Sequence, residues 1–148
     1  IANTAGVTNQ RVLQVVRTTM GQVVVTTASS SYVSMGQSVS ITPSSVSSKI
    51  LLYVIGGGHY LPTGNVKASI TIFRGATNIG DSDTGLESVF TSGTTGFTFA
   101  SHSMMVLDSP ATTSSVTYTT YAKTTGGTYQ YQYTDRGDIN FVAMEIAG

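Results

Sequence analysis

Residues 50–55, ILLYVI, decide how this chain folds. Every side chain in the run is apolar, so a strand built from it is apolar on both faces. A lone β-sandwich covers one face of each sheet and leaves the other to water. The second face of such a strand therefore needs a further cover, and a subunit interface is the natural one.

The flanking segments alternate instead. Residues 37–43 (QSVSITP) set Val39 and Ile41 against Ser38, Ser40 and Thr42, and residues 66–73 (VKASITIF) turn Val66, Ala68, Ile70 and Ile72 inward. That is the pattern of a sheet with one wet face. Further strands are expected at 22–27 (QVVVTT), 96–100 (GFTFA), 102–107 (HSMMVL), 116–123 (VTYTTYAK), 128–134 (TYQYQYT) and 138–146 (DINFVAMEI). Gly126-Gly127 reads as a hairpin turn, because paired glycines supply the positive φ of a tight primed turn. Roughly eight to ten short strands at this spacing predict an all-β fold, an antiparallel β-sandwich of jelly-roll type.

Only residues 11–20 (RVLQVVRTTM) offer a helical face, from Val12, Leu13, Val16 and Met20. Without Ala or Glu, and among β-branched residues, the segment reads as a strand. Residues 1–20 are thus an N-terminal strand or extended neck, with a short coiled stub as the alternative, and 21–148 form the sandwich. The chain opens at Ile1, so it is expected to be part of a longer protein.

Composition narrows the class. There are 24 Thr and 19 Ser among 148 residues, while only 9% of residues are charged. Hydroxyls beside β-branched and aromatic residues suit pleated surfaces, and a sheet with so little charge must be closed at its edges or associated. This is the profile of a rigid extracellular β module. Seven basic and seven acidic residues cancel, so no basic excess is present to grip nucleic acid or an anionic membrane. There is no Cys, hence no disulfide or thiolate chemistry. No apolar run approaches the roughly 18 residues of a membrane-spanning helix.

Recognition chemistry is concentrated in the segments read as loops, 56–64 (GGGHYLPTG), 75–96 and 134–138 (TDRGD). His59 and Tyr60 follow three glycines and could be displayed at a tip; a solvated loop histidine is the plainer reading. Tyr129, Tyr131 and Tyr133 share one face of a strand, with Gln130 and Gln132 on the other. Such a row either stacks on sugar rings or forms an aromatic ladder that packs the sandwich. Asp81, Asp83 and Glu87 could donate to calcium but lack a full ligand series, so an exposed acidic turn is the preferred reading. Arg136 sits in a charged turn, expected to pair with Asp135 or Glu145; Arg-Gly-Asp at 136–138 is too short a match to indicate adhesion. No nucleophile elbow, zinc-protease motif or phosphate loop is present. The carboxylate pairs Asp83/Glu87 and Asp135/Asp138 are the remaining hydrolytic candidates. The expectation is no enzymatic activity, no cofactor and no metal.

Residues 39–51 (VSITPSSVSSKIL), 107–118 (LDSPATTSSVTY) and 143–148 (AMEIAG) resemble the C-terminal domain of tail-fibre proteins of tailed bacteriophages, especially of marine and cyanobacterial phages. The resemblance runs from about Val12 to the last residue. It implies a homotrimeric virion protein whose distal domain docks on the host surface. The strand arrangement is also similar to trimeric jelly rolls of the C1q and tumour-necrosis-factor type. The family has no fixed binding residues, so the candidates rest on this chain's own side chains: Leu51, Tyr53 and Ile55 are expected to form the trimer interface, and His59, Tyr60, Tyr129, Tyr131, Tyr133 and Arg136 to contact a host cell-surface glycan or outer-membrane receptor. His59 or His102 could also meet its copies on a threefold axis and hold an ion. The alternative is a trimerisation or assembly module, joined to other fibre segments and without receptor contact.

Overall fold

The computed structural model describes residues 10–62, 64–93, 98–133 and 135–148. Part of the expected neck (residues 1–9), the start of the strand expected at 96–100, and Thr63 and Thr134 in two expected loops lie outside them. β-Branched and aromatic residues build the strands: β1 (Val12–Met20), β2 (Val25–Thr27), β3 (Val33–Ile41), β4 (Lys49–Leu61), β5 (Val66–Arg74), β6 (Thr77–Asn78), β7 (Glu87–Thr91), β8 (Thr98–Asp108), β9 (Val116–Thr124), β10 (Tyr129–Gln132) and β11 (Ile139–Ile146). No helix occurs among the described residues.

The strands form two antiparallel sheets. In the first, β1, β11, β4 and β8 lie side by side; farther along β4, β10 replaces β11 as its neighbour and in turn pairs β2. In the second, β3, β9 and β5 are followed by β7 and, beside the other end of β5, by β6. The chain passes from sheet to sheet between β2 and β3, β3 and β4, β4 and β5, β7 and β8, β8 and β9, and β9 and β10. The orders β1-β11-β4-β8 and β3-β9-β5-β7 are those of a jelly roll, as the patterning predicts. The Gly126-Gly127 turn is one of these crossings rather than a hairpin, since it joins β9 of the second sheet to β10 of the first.

Alternation places the core. Met35, Val39 and Ile41 of β3, Tyr118 and Ala122 of β9, and Phe141 and Ala143 of β11 are buried between the sheets with Ile50, Leu52 and Val54 of β4. Each large side chain so buried contributes about 1.5–3 kcal/mol. Gln37 is a polar tie inside this core: its amide donates to the Ile139 carbonyl (3.0 Å) and accepts from the Tyr131 hydroxyl (2.9 Å). Both contacts join opposite sheets, and both leave a buried polar group satisfied.

Two expected loops are partly strand. Residues 56–61 continue β4, and β6 and β7 lie within 75–96. The expected neck is also sheet where it is described, because β1 pairs with β11 from Val12 to Met20.

Glu145 does not meet Arg136. It is buried near the end of β11, where it accepts from the Ser44 amide (2.7 Å) and from the Ser44 and Ser48 hydroxyls and the Gln14 amide (2.6 Å each). Desolvation alone would raise its pKa, but these donors outweigh it and hold the carboxyl down at about 2. A folded pKa below the unfolded one stabilises above the unfolded value and ceases to do so as pH falls through the folded one. Thermal stability should therefore drop between pH 4.5 and about 2, and Glu145→Gln should flatten the drop in a melting series across that window.

Candidate functional site

The glycine run in β4 builds the site. Between Gly56 and His59 the register with β8 slips, and Gly56 and Gly57 take φ of 92° and 59°, values that favour glycine. A Cβ on Gly57 would collide with Ile139 and with the Gln132 amide, and one on Gly58 would lie 2.7 Å from Arg136 Cβ. Absent side chains thus let the 135–138 turn close onto the strand. Gln132, fully buried, locks that approach: Oε1 accepts from the Gly58 amide (3.2 Å), and Nε2 donates to the Gly137 carbonyl (2.7 Å).

Beyond the bulge His59 points inward and Tyr60 outward. Tyr60 lies opposite Phe99 on β8 and Gln130 on β10. Its ring stacks on Phe99 (centroids 4.4 Å) and meets Tyr133 at 5.2 Å, while Phe99 and Tyr133 are also 5.2 Å apart. The Arg136 guanidinium covers Phe99 at 4.4 Å, a cation–π contact. Beside this cluster opens a cleft of about 410 Å³, lined by Gly57, Gly58, Phe99, Ser101, Asp135 and Arg136. One aromatic ring, already engaged by Tyr60 and Arg136, one cation, one carboxylate and glycine backbone suit a neutral, hydroxyl-rich ligand held chiefly by hydrogen bonds.

Of the six side chains expected to contact a receptor, Tyr60, Tyr133 and Arg136 come together here. Tyr129 and Tyr131 do not: both are fully buried, and desolvation raises both phenols. The period-two row breaks because the pairing of β10 with β2 shifts register between Gln130 and Gln132. Gln132 turns inward and Tyr133 joins the outer cluster. His59 is only 1% exposed, so it is not displayed at a tip. His59 and His102 are both buried within one subunit, which rules out the meeting of copies on a threefold axis. Phe99 was not anticipated, since only the β4–β8 register sets it against Tyr60.

The carboxylates separate. Asp81 Oδ1 accepts from the amides of Asp83 (2.8 Å) and Thr84 (2.7 Å), the exposed acidic turn expected. Those bonds, with a third from the Thr84 hydroxyl, lower its pKa. Asp83 pairs with Lys67 at 3.1 Å. Glu87 faces inward instead, its Oε2 lying 2.9 Å from His102 Nδ1. His59 Nδ1 and Nε2, buried beside this pair, have no hydrogen-bond partner. Burial, and then electrostatic repulsion from the neighbouring His102, lower the His59 pKa to about 4, so its imidazole is neutral at pH 7.

A second surface lies on the outer side of the same sheet. The register aligns Val15, Met144, Leu51 and Leu107 in one row and Arg17, Val142, Tyr53 and Met105 in the next. Val15, Met105 and Leu107 are 56%, 58% and 48% exposed, and Ile55, one row farther, is 49% exposed. Leu51 and Tyr53 are half-buried by these neighbours.

No protein-family model matches the chain, and no curated protein matches it. Two similar solved structures come from infectious bursal disease virus. The D431N mutant VP2 in T=1 particles has 11% identity and a TM-score of 0.41, over 90% of this chain and 36% of that one. The Gx-strain structure has 14% identity and a TM-score of 0.30, over 92% of this chain and 37% of that one. The chain thus spans little more than a third of the length of these proteins.

Replacing Gln132 by Leu would strand the Gly58 amide and the Gly137 carbonyl. The expected cost is about 1–3 kcal/mol, read as a lower denaturant midpoint, with faster hydrogen exchange at Gly58.

Proposed function

We propose that the chain is a homotrimeric jelly-roll module at the distal end of a virion fibre, and that its aromatic cleft attaches to host cell-surface glycan without chemistry. The observation that carries association is the apolar outer face of β1-β11-β4-β8. A continuous apolar surface made of Val15, Leu51, Tyr53, Ile55, Met105 and Leu107 is costly to leave in water. Copies that cover it would gain about 1.5–3 kcal/mol for each large side chain fully removed from solvent. The virion reading rests on the tail-fibre resemblance of residues 39–51, 107–118 and 143–148. The glycan reading rests on a cleft lined by Phe99, Ser101, Asp135 and Arg136, beside the cluster of Tyr60 and Tyr133, on a chain of zero net charge. Three clefts on one rigid body would turn weak single contacts into firm attachment.

Light scattering at micromolar concentration should report three chains, and Met105→Glu, which puts a charge on the most exposed side chain of the apolar face, should give a folded monomer. A wild-type monomer would refute the association. Separately, Phe99→Ala with Arg136→Ala should abolish adsorption to host cells and glycan-array signal while leaving the oligomer intact. Unchanged adsorption would favour the assembly-module alternative, in which the apolar face is the whole function.

A further inference from the structure

Behind the cleft, between the sheets, three side chains from three strands converge: His59 of β4, His102 of β8 and Glu87 of β7. Their ligand atoms all lie within 4.8 Å of one another. We propose that this trio is a binding site for a first-row divalent metal ion of the zinc type, held within each subunit as a two-histidine, one-carboxylate centre.

Hydrogen-bond accounting supports the assignment. His102 Nε2 lies 2.8 Å from the Tyr131 carbonyl, which only accepts, so Nε2 carries a proton. That is the outer contact by which metal-binding histidines are commonly oriented, and it aims Nδ1 at the site. Between Nδ1 and Glu87 Oε2, at 2.9 Å, one proton must sit, whichever atom owns it. A cation entering there displaces that proton to solvent and takes both lone pairs, which is how metal sites couple to pH.

His59 is the independent observation. It is 1% exposed, its ring meets that of His102 edge-on at 4.8 Å, and neither nitrogen has a partner. A buried polar group without a partner costs about 1–3 kcal/mol, and imidazole is among the commonest metal ligands. Tyr129, whose ring lies 5.9 Å from that of His59, also buries a hydroxyl with no partner. Two imidazoles and a carboxylate, with no thiolate in the chain, suit zinc and its neighbours rather than calcium, which takes oxygen ligands. Metal–ligand bonds of about 2.0–2.2 Å require His59 to move toward the other two donors by roughly an ångström, while His102 Nδ1 and Glu87 Oε2, now 2.9 Å apart, part slightly to admit the ion. Glu87 is partly exposed at the β7–β8 side and provides the way in.

The test uses the untagged protein, stripped with chelator and dialysed. Added Zn2+ should bind at one ion per chain and raise the melting temperature by about 5 °C or more, and Co2+ should give the intense visible bands of a four-coordinate site. His59→Ala and Glu87→Gln should weaken zinc binding at least about tenfold while melting close to stripped wild type. Stripped wild type that takes up no zinc, or gains no thermal stability from it, would overturn the proposal. Equal affinity in wild type and His59→Ala would also overturn it, placing the ion elsewhere. Because the readouts are metal content, spectrum and melting, the result is independent of glycan attachment and of oligomeric state.

Discussion

The fold depends on the pairing of one long strand along both of its edges. β4 runs for 13 residues, with β8 along one side and first β11, then β10, along the other. A strand hydrogen-bonded on both edges cannot shift register without breaking two ladders, and a slip of one residue would send its whole inner row to solvent. Ile50, Leu52 and Val54 therefore stay in the core, and Leu51, Tyr53 and Ile55 stay outside. The apolar outer face follows directly from that locking.

The same strand changes character at its glycines. Before Gly56 its neighbours are the apolar rows of β11 and β8; beyond the bulge they are the polar and aromatic residues of β10 and the start of β8. One local irregularity thus puts His59 inside with Glu87 and His102, and Tyr60 outside with Phe99 and Tyr133. Bulges commonly re-aim side chains beside functional sites, and here a single one serves an interior cluster and a surface cleft. Gln132 makes the arrangement rigid, because its buried amide ties the strand to the turn that carries Arg136.

Without disulfides, the two sheets are held together by packing and by a few buried polar ties. Gln37 joins them near the middle. At the far end Arg74 of β5 meets Asp108 of β8 at 2.9 Å, and the Tyr118 hydroxyl of β9 donates to the same carboxylate at 2.7 Å. Some hydroxyls act locally, as when Ser29 donates to the Ser31 carbonyl and Thr124 to that of Gly126, while others tie distant segments, as in the Ser44 and Ser48 contacts to Glu145.

The all-β class, the sandwich and most strands were legible in the sequence, because alternation at period two in 37–43 and 66–73 is a local property of the chain. The doubly apolar run at 50–55 likewise identified a strand that is apolar on both of its faces. What the amino acids alone could not convey was every feature that depends on register between distant strands. Three glycines look like a loop until β8, β10 and β11 are placed beside them. Tyr129, Tyr131 and Tyr133 look like one row until a bulge turns the third away, and His59, Glu87 and His102 are unrelated letters until two sheets fold over them. Local periodicity is written in consecutive residues. The partners across a ladder are chosen only when the whole jelly roll closes, and that closure placed the cleft and the buried histidines.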